Sequence, residues 1–145
     1  MNQIEATVKE IKTTKIVTYI DVECGKCMLR LIKSKAPLWL SKGDRVNCNF
    51  NEVSVCVSKE CPGKVSIENR LSATLIDVRQ NESLCELTFD SELGRVVSLI
   101  TTEAYDNLGL ELECEATMLL RGVDITLTPL VESLLSPTRI DYANK

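Results

Sequence analysis

Ser66-Ile67-Glu68-Asn69-Arg70-Leu71-Ser72-Ala73-Thr74-Leu75 is the stretch on which the reading of this 145-residue chain turns. Moved back by 67 positions, it lays Asn69 on Asn2, Ala73 on Ala6 and Thr74 on Thr7. Leu71 then falls on Ile4, Leu75 on Val8, Asp77 on Glu10, Val78 on Ile11 and Arg79 on Lys12. One small module is written twice, and a repeat must be recognised first because a single-domain reading would misplace the core. Each copy has about 65 residues, a size at which a lone hydrophobic core is marginal. The copies are therefore expected to lean on each other or on further subunits.

In the first copy Ile4, Ala6 and Val8 alternate with Glu5, Thr7 and Lys9, the period of a half-buried strand. A β-branched run over 16–22 reads as a second strand covered on both faces. Gly25 supplies the turn into a third strand over 27–32, making a hairpin. Lys35-Ala36-Pro37-Leu38-Trp39-Leu40 breaks the alternation, and its proline suits the first turn of a short helix. After the turn at 41–44, strands over 45–50 and 53–57 are expected to close the unit. The second copy repeats this order, with strands over 71–79, 83–90, 95–101, 112–120 and 123–127 and a helical turn over 103–108. Five short strands with one small helix after the third is the order of an OB-like barrel. The expected fold is all-β: two tandem OB-like five-stranded barrels, each with one short helix. The boundaries read 1–58 for the first repeat, 59–65 for a linker marked by Pro62-Gly63, 66–128 for the second repeat, and 129–145 for a C-terminal tail. A linker this short implies close packing. In the tail, apolar helical turns are expected over 130–135, before Pro137.

Composition narrows the function classes. No apolar run approaches the ~20 residues that span a bilayer, and Met1-Asn2-Gln3-Ile4-Glu5 lacks the basic and apolar regions of a signal peptide. Seven cysteines, an odd count, suit a reducing compartment. A soluble, cytoplasmic protein is expected. Charge is unequal: residues 1–65 carry 11 Lys+Arg against 7 Asp+Glu, and residues 66–145 carry 6 against 14. Halves of opposite sign favour contact of a first copy with a second copy, within or between subunits.

Certain motifs carry a specific resemblance. Ser66 to Leu71, Ile100-Thr101-Thr102-Glu103-Ala104, Leu108-Gly109-Leu110, and Leu119-Leu120-Arg121-Gly122-Val123-Asp124-Ile125 follow one another in the order of the TOBE or Mop domains. The chain resembles that family to about Leu127, and as a tandem pair without a DNA-binding or ATPase segment it resembles the di-domain molbindins. The resemblance implies a non-enzymatic, cytoplasmic binder of molybdate or tungstate for storage or homeostasis, with no organic cofactor. It also implies a homo-oligomer, a trimer favoured, with the oxyanion at subunit or repeat interfaces. A tetrahedral dianion needs many hydrogen-bond donors. The family's motif maps the oxyanion contacts onto Ser66, Asn69, Thr101, Thr102 and, in place of its lysine, Arg121. Its arginine position holds Glu68, a repelling carboxylate, while Arg70 lies two residues on and on the same strand face. Its later serine is Ala104, and in the first copy Asn51 stands at the lysine position.

Rival constellations are fewer. Cys24-Gly25-Lys26-Cys27 has zinc-knuckle spacing, and Cys56 and Cys61, or Cys48, would complete a thiolate set, yet a second CxxC and histidine are both missing. OB-like barrels bind single-stranded nucleic acid, and Lys26, Arg30, Lys33, Lys35, Lys42 and Arg45 form a basic run; an acidic chain poor in aromatics argues against it. No nucleophile elbow or phosphate loop supports catalysis. A ligand-free oligomerisation scaffold is the remaining class, favoured by Glu68 and Asn51.

Overall fold

The structure, a computed structural model, describes residues 1–130. It contains β1 (Asn2–Thr13), β2 (Thr18–Cys24), β3 (Cys27–Lys33), β4 (Arg45–Phe50), β5 (Cys56–Ser58), β6 (Asn69–Gln80), β7 (Leu84–Ser91), β8 (Gly94–Thr101), α1 (Thr102–Leu108), β9 (Glu115–Leu120) and β10 (Thr126–Pro129). Short 3-10 turns at Glu52–Ser54 and Gly122–Asp124 follow β4 and β9. The tail turns expected over 130–135 fall, from residue 131 on, outside the described residues.

The strands form two five-stranded antiparallel sheets, ordered β10-β4-β1-β2-β3 and β5-β9-β6-β7-β8. Here the expectation that each repeat closes on its own fifth strand is corrected. β5 of the first half pairs with β9, Cys56 opposite Leu119, and β10 of the second half pairs with β4, Leu127 opposite Cys48. The exchange is reciprocal. Only residues 51–55 join β4 to β5, and they run onto the other half, where the buried Ser98 hydroxyl donates to Val55 O at 2.6 Å.

Alternation sets the faces. Ile4, Ala6 and Val8 on β1, Ile20 and Val22 on β2, and Leu29 and Leu31 on β3 are buried, as are Leu75, Leu87, Phe89 and Met118 in the second sheet. All belong to one continuous core, which relieves the weakness of a 65-residue unit standing alone. Both long strands bulge at equivalent points, between Val8 and Glu10 and between Leu75 and Asp77. At the bulges, Val8 and Leu75 each bond the turn that precedes the fourth strand of their copy: Val8 N–H donates to Asp44 O at 2.8 Å, and Leu75 N–H to Cys114 O at 3.0 Å.

A short helix in each half is also corrected. The second half forms α1, its N-terminus capped by Thr101, whose Oγ1 accepts from Ala104 N–H at 3.0 Å, and its C-terminus by Gly109 at φ 64°. In the first half, residues 34–44 join β3 to β4, against 102–114 in the second. That shorter span makes only a turn, closed by Leu40 N–H on Pro37 O at 3.1 Å. Neither are the oppositely charged halves joined by the ion pairs Lys9–Glu23, Arg30–Asp21, Arg45–Glu5, Arg79–Asp77 and Arg121–Asp124, each of which stays within one half.

Candidate functional site

The second 3-10 turn gathers most of the residues singled out at the close of the repeat. Arg121 precedes it, and its Nε donates to Asp124 Oδ2 at 2.9 Å with the guanidinium largely exposed. Gly122 is buried against β3: a Cβ built there would lie 2.6 Å from Arg30 O, so only glycine lets the turn approach this closely. Gly122 N–H donates to Glu68 Oε1 at 2.7 Å. A carboxylate thus holds the backbone donor next to Arg121, where an incoming anion would compete for it.

Asn69 lies beside them, buried. Its Oδ1 accepts from Arg30 N–H at 2.8 Å, and its Nδ2 donates to Arg30 O and to Leu120 O, both at 3.0 Å. Both amide protons are engaged within the chain. Arg70 is engaged as well, its guanidinium donating to Gly63 O at 2.5 Å and Val65 O at 2.8 Å and so pinning the linker. Asp21, Met28, Leu29, Arg30, Glu68 and Asn69 line an open cleft of about 540 Å³. Within it Arg30 is held by a two-point pair with Asp21, at 2.8 and 3.0 Å, which raises the guanidinium pKa further. Ser66 is exposed and its hydroxyl has no partner among the described residues.

Thr101 and Thr102 stand elsewhere. Thr101 caps α1 and keeps its hydroxyl proton, while Thr102 Oγ1 donates to Asn81 O at 3.0 Å. Thr101 ends β8 and Thr102 begins α1; β8 packs against the first 3-10 turn, whereas Arg121 caps the turn packed against β3. Strand exchange is what divides the set, and no sequence pattern signals it. What the sequence reading missed is the role of Glu68: its displacement from the motif was visible, but its bond to Gly122 N–H, 54 residues away, was not.

The thiolate set is corrected by the geometry. Cys24 and Cys27 face each other across the β2–β3 hairpin and are buried, Cys27 donating to Glu92 Oε2 at 2.6 Å. Cys56 and Cys61 are exposed, on β5 in the other sheet and in the linker. Among the described residues no three His, Cys, Asp or Glu side chains are grouped to hold a metal ion. The basic run is likewise broken up, with Arg30 and Arg45 paired to Asp21 and Glu5. No helix among the described residues is long and apolar enough to cross a membrane.

No family model and no curated protein matches the chain. Among solved structures it is similar to a crystal form, with molybdate bound, of the cytoplasmic molybdate-binding protein ModG. The TM-score is 0.82 at 22% identity, covering 89% of this chain and 96% of that one, so the two chains share their fold over nearly their whole lengths.

Proposed function

We propose that this chain is a non-enzymatic, cytoplasmic binder of a tetrahedral oxyanion, molybdate or tungstate, for storage or homeostasis, built from two TOBE-like modules whose curled sheets are OB-like barrels. The carrying observation is the fold likeness to a molybdate-binding protein across 89% of the chain. The contacts are Arg121, whose guanidinium is mostly exposed and turned to Asp124 only through Nε, the partnerless hydroxyl of Ser66, and the uncommitted proton of Thr101. Asn69, Arg70 and Thr102 support the site rather than donate to the ligand, because their donors are spent within the chain. Since Arg121 stands at the turn packed against β3 and Thr101 at the end of β8, which packs against the other 3-10 turn, we place the site between copies of the chain, in a homo-oligomer for which a trimer is the working stoichiometry.

Calorimetric titration of reduced, chelator-treated protein tests this. Molybdate and tungstate should give saturable heat that sulfate does not, and Arg121→Glu should remove it while the circular dichroism spectrum stays that of the folded wild type. Absence of saturable heat with both metal oxyanions would sink the reading.

One observation favours a ligand-free scaffold instead: Glu68 Oε1 on Gly122 N–H already supplies the negative charge at this turn. Glu68→Gln distinguishes the two. It should strengthen oxyanion binding if Glu68 merely competes, and change nothing if the protein binds none.

A further inference from the structure

The first sheet curls until its two edge strands, β3 and β10, line one cavity of about 220 Å³ together with β2 and the 34–44 connection. Its walls are Ile20, Pro37 and Leu127 on the apolar side and Lys33, Lys35 and Thr126 on the polar side. The repeat shows what is unusual here. Shifted by 67, Ile20 corresponds to Leu87 and Lys33 to Ile100. In the second half Ile100, with Tyr105 and Leu108 of α1, packs onto the core. The first half has no helix at this place and puts a lysine where its twin has an isoleucine.

Lys33 is half-buried and Lys35 exposed, and neither makes an ion pair among the described residues. The opposing charge that acts on Lys33 is Asp124, whose carboxylate is already held by Arg121 at 2.9 Å. Burial lowers the Lys33 pKa from its ordinary value, so an anion entering the cavity would be met by a partly dehydrated ammonium. Replacing that lysine by a hydrocarbon would cost the fold nothing obvious, as Ile100 demonstrates in the twin.

We propose that this cavity binds a small organic carboxylate with an apolar body, Lys33 and Lys35 meeting the carboxylate and Ile20, Pro37 and Leu127 the hydrocarbon. The space is well above the ~10–15 Å³ that one water needs, so a short-chain carboxylate fits it. A point charge on a flexible stem recognises a carboxylate without demanding one geometry, and the apolar walls give a hydrocarbon body contacts that a hydrated inorganic ion cannot use. The site adjoins the Arg121 turn through Asp124, but its lining includes none of the residues proposed to contact the oxyanion, so it does not depend on that reading.

The test is an NMR titration of the full chain with hexanoate, with hexanamide as the neutral analogue and molybdate as the inorganic competitor. Hexanoate should shift the amides of Ile20, Lys33 and Leu127 saturably, and hexanamide should bind weaker by about tenfold or more, the worth of one charge-assisted bond. Lys33→Ile should weaken hexanoate by a similar factor while the thermal midpoint holds or rises. If that variant does not fold, Lys33→Met and Lys35→Gln give the same reading. The proposal is overturned by shifts that do not saturate or that lie away from this cavity. Equal affinity for the amide, unchanged binding in the lysine variants, or molybdate taking the cavity in preference to hexanoate also overturns it.

Discussion

Asn2 and Asn69 stand 67 residues apart and make the same clamp in opposite directions. Asn69 grips Arg30 on β3 through both its N–H and its O, and Asn2 grips Val97 on β8, accepting from its N–H and donating to its O, each at 2.8 Å. Arg30 and Val97 are themselves 67 residues apart. Each carboxamide thus imitates one bridge of a β-ladder between the halves, and the internal repeat is expressed as a pseudo-twofold relation.

Removing a clamp should therefore loosen the joint between halves. Asn69→Ala strands Arg30 N–H, Arg30 O and Leu120 O, and a buried unsatisfied polar group costs about 1–3 kcal/mol. Equilibrium denaturation should show a loss of about 2–3 kcal/mol, and a smaller one for Asn2→Ala, which frees two groups instead of three. Equal stability of wild type and both variants would remove the clamp as a joint.

Glu113 holds φ at 69°, the left-handed region, at the position where the first copy has Gly43 at φ 93°. The conformation is enforced, because Glu113 N–H donates to Leu75 O at 2.7 Å as Gly43 N–H does to Val8 O at 2.8 Å. A non-glycine residue there costs about 1 kcal/mol or slightly more. Glu113→Gly should raise the thermal midpoint and Gly43→Ala lower it, a paired experiment that fails if both move the same way.

Gly122→Ala acts where the turn of one half lies against β3 of the other. Its Cβ would meet Arg30 O at 2.6 Å and Ile32 at 3.2 Å, and backbone cannot swing aside as a side chain can. Overpacking of this kind costs about 1–3 kcal/mol. Denaturation should register it, and hydrogen exchange should quicken at Gly122 N–H as the turn lifts from Glu68.

The buried thiols predict an alkaline limit. Burial, then the neighbouring Cys24, pushes Cys48 up to about 12; burial, then the bond to Glu92 and its charge, pushes Cys27 up to about 11. A pKa raised on folding means the native state holds its proton while the unfolded state loses it. Stability is therefore complete below the ordinary thiol value of 9.0 and falls as pH rises from there toward 11 and 12. Thermal midpoints measured from pH 7 to 11 should decline above pH 9, and Cys48→Val should flatten the decline. A thiol reagent at pH 8 should modify the exposed Cys56 and Cys61 while sparing Cys48.

Much of this was legible in one dimension. Alternation on β1 named Ile4, Ala6 and Val8 as the buried face, the glycine at 25 marked its hairpin, and the shift of 67 exposed the duplication. The helical turn over 103–108 became α1 because Thr101 and Gly109 carry caps that can be read locally. Its expected twin in the first half did not form: the 34–44 span, two residues shorter, closes Leu40 N–H on Pro37 O as a turn. At the candidate site the residues were nameable, but their engagement was not: Asn69 and Arg70 present donors in the sequence and spend them on backbone carbonyls in the fold.

The chain by itself determined which residues face inward, where strands turn, and that one strand pattern recurs after 67 residues, because those are matters of periodicity and local backbone preference. Tertiary structure alone decided where each fifth strand goes. Cys56–Ser58 joins β9 and Thr126–Pro129 joins β4, an exchange to which hydropathy is blind. Backbone hydrogen bonds are the same at every sheet edge, so the choice falls to the packing that surrounds them. Gly122 fits only against Arg30 and Ser98 only beneath Val55, and those two contacts lie 92 and 43 residues apart.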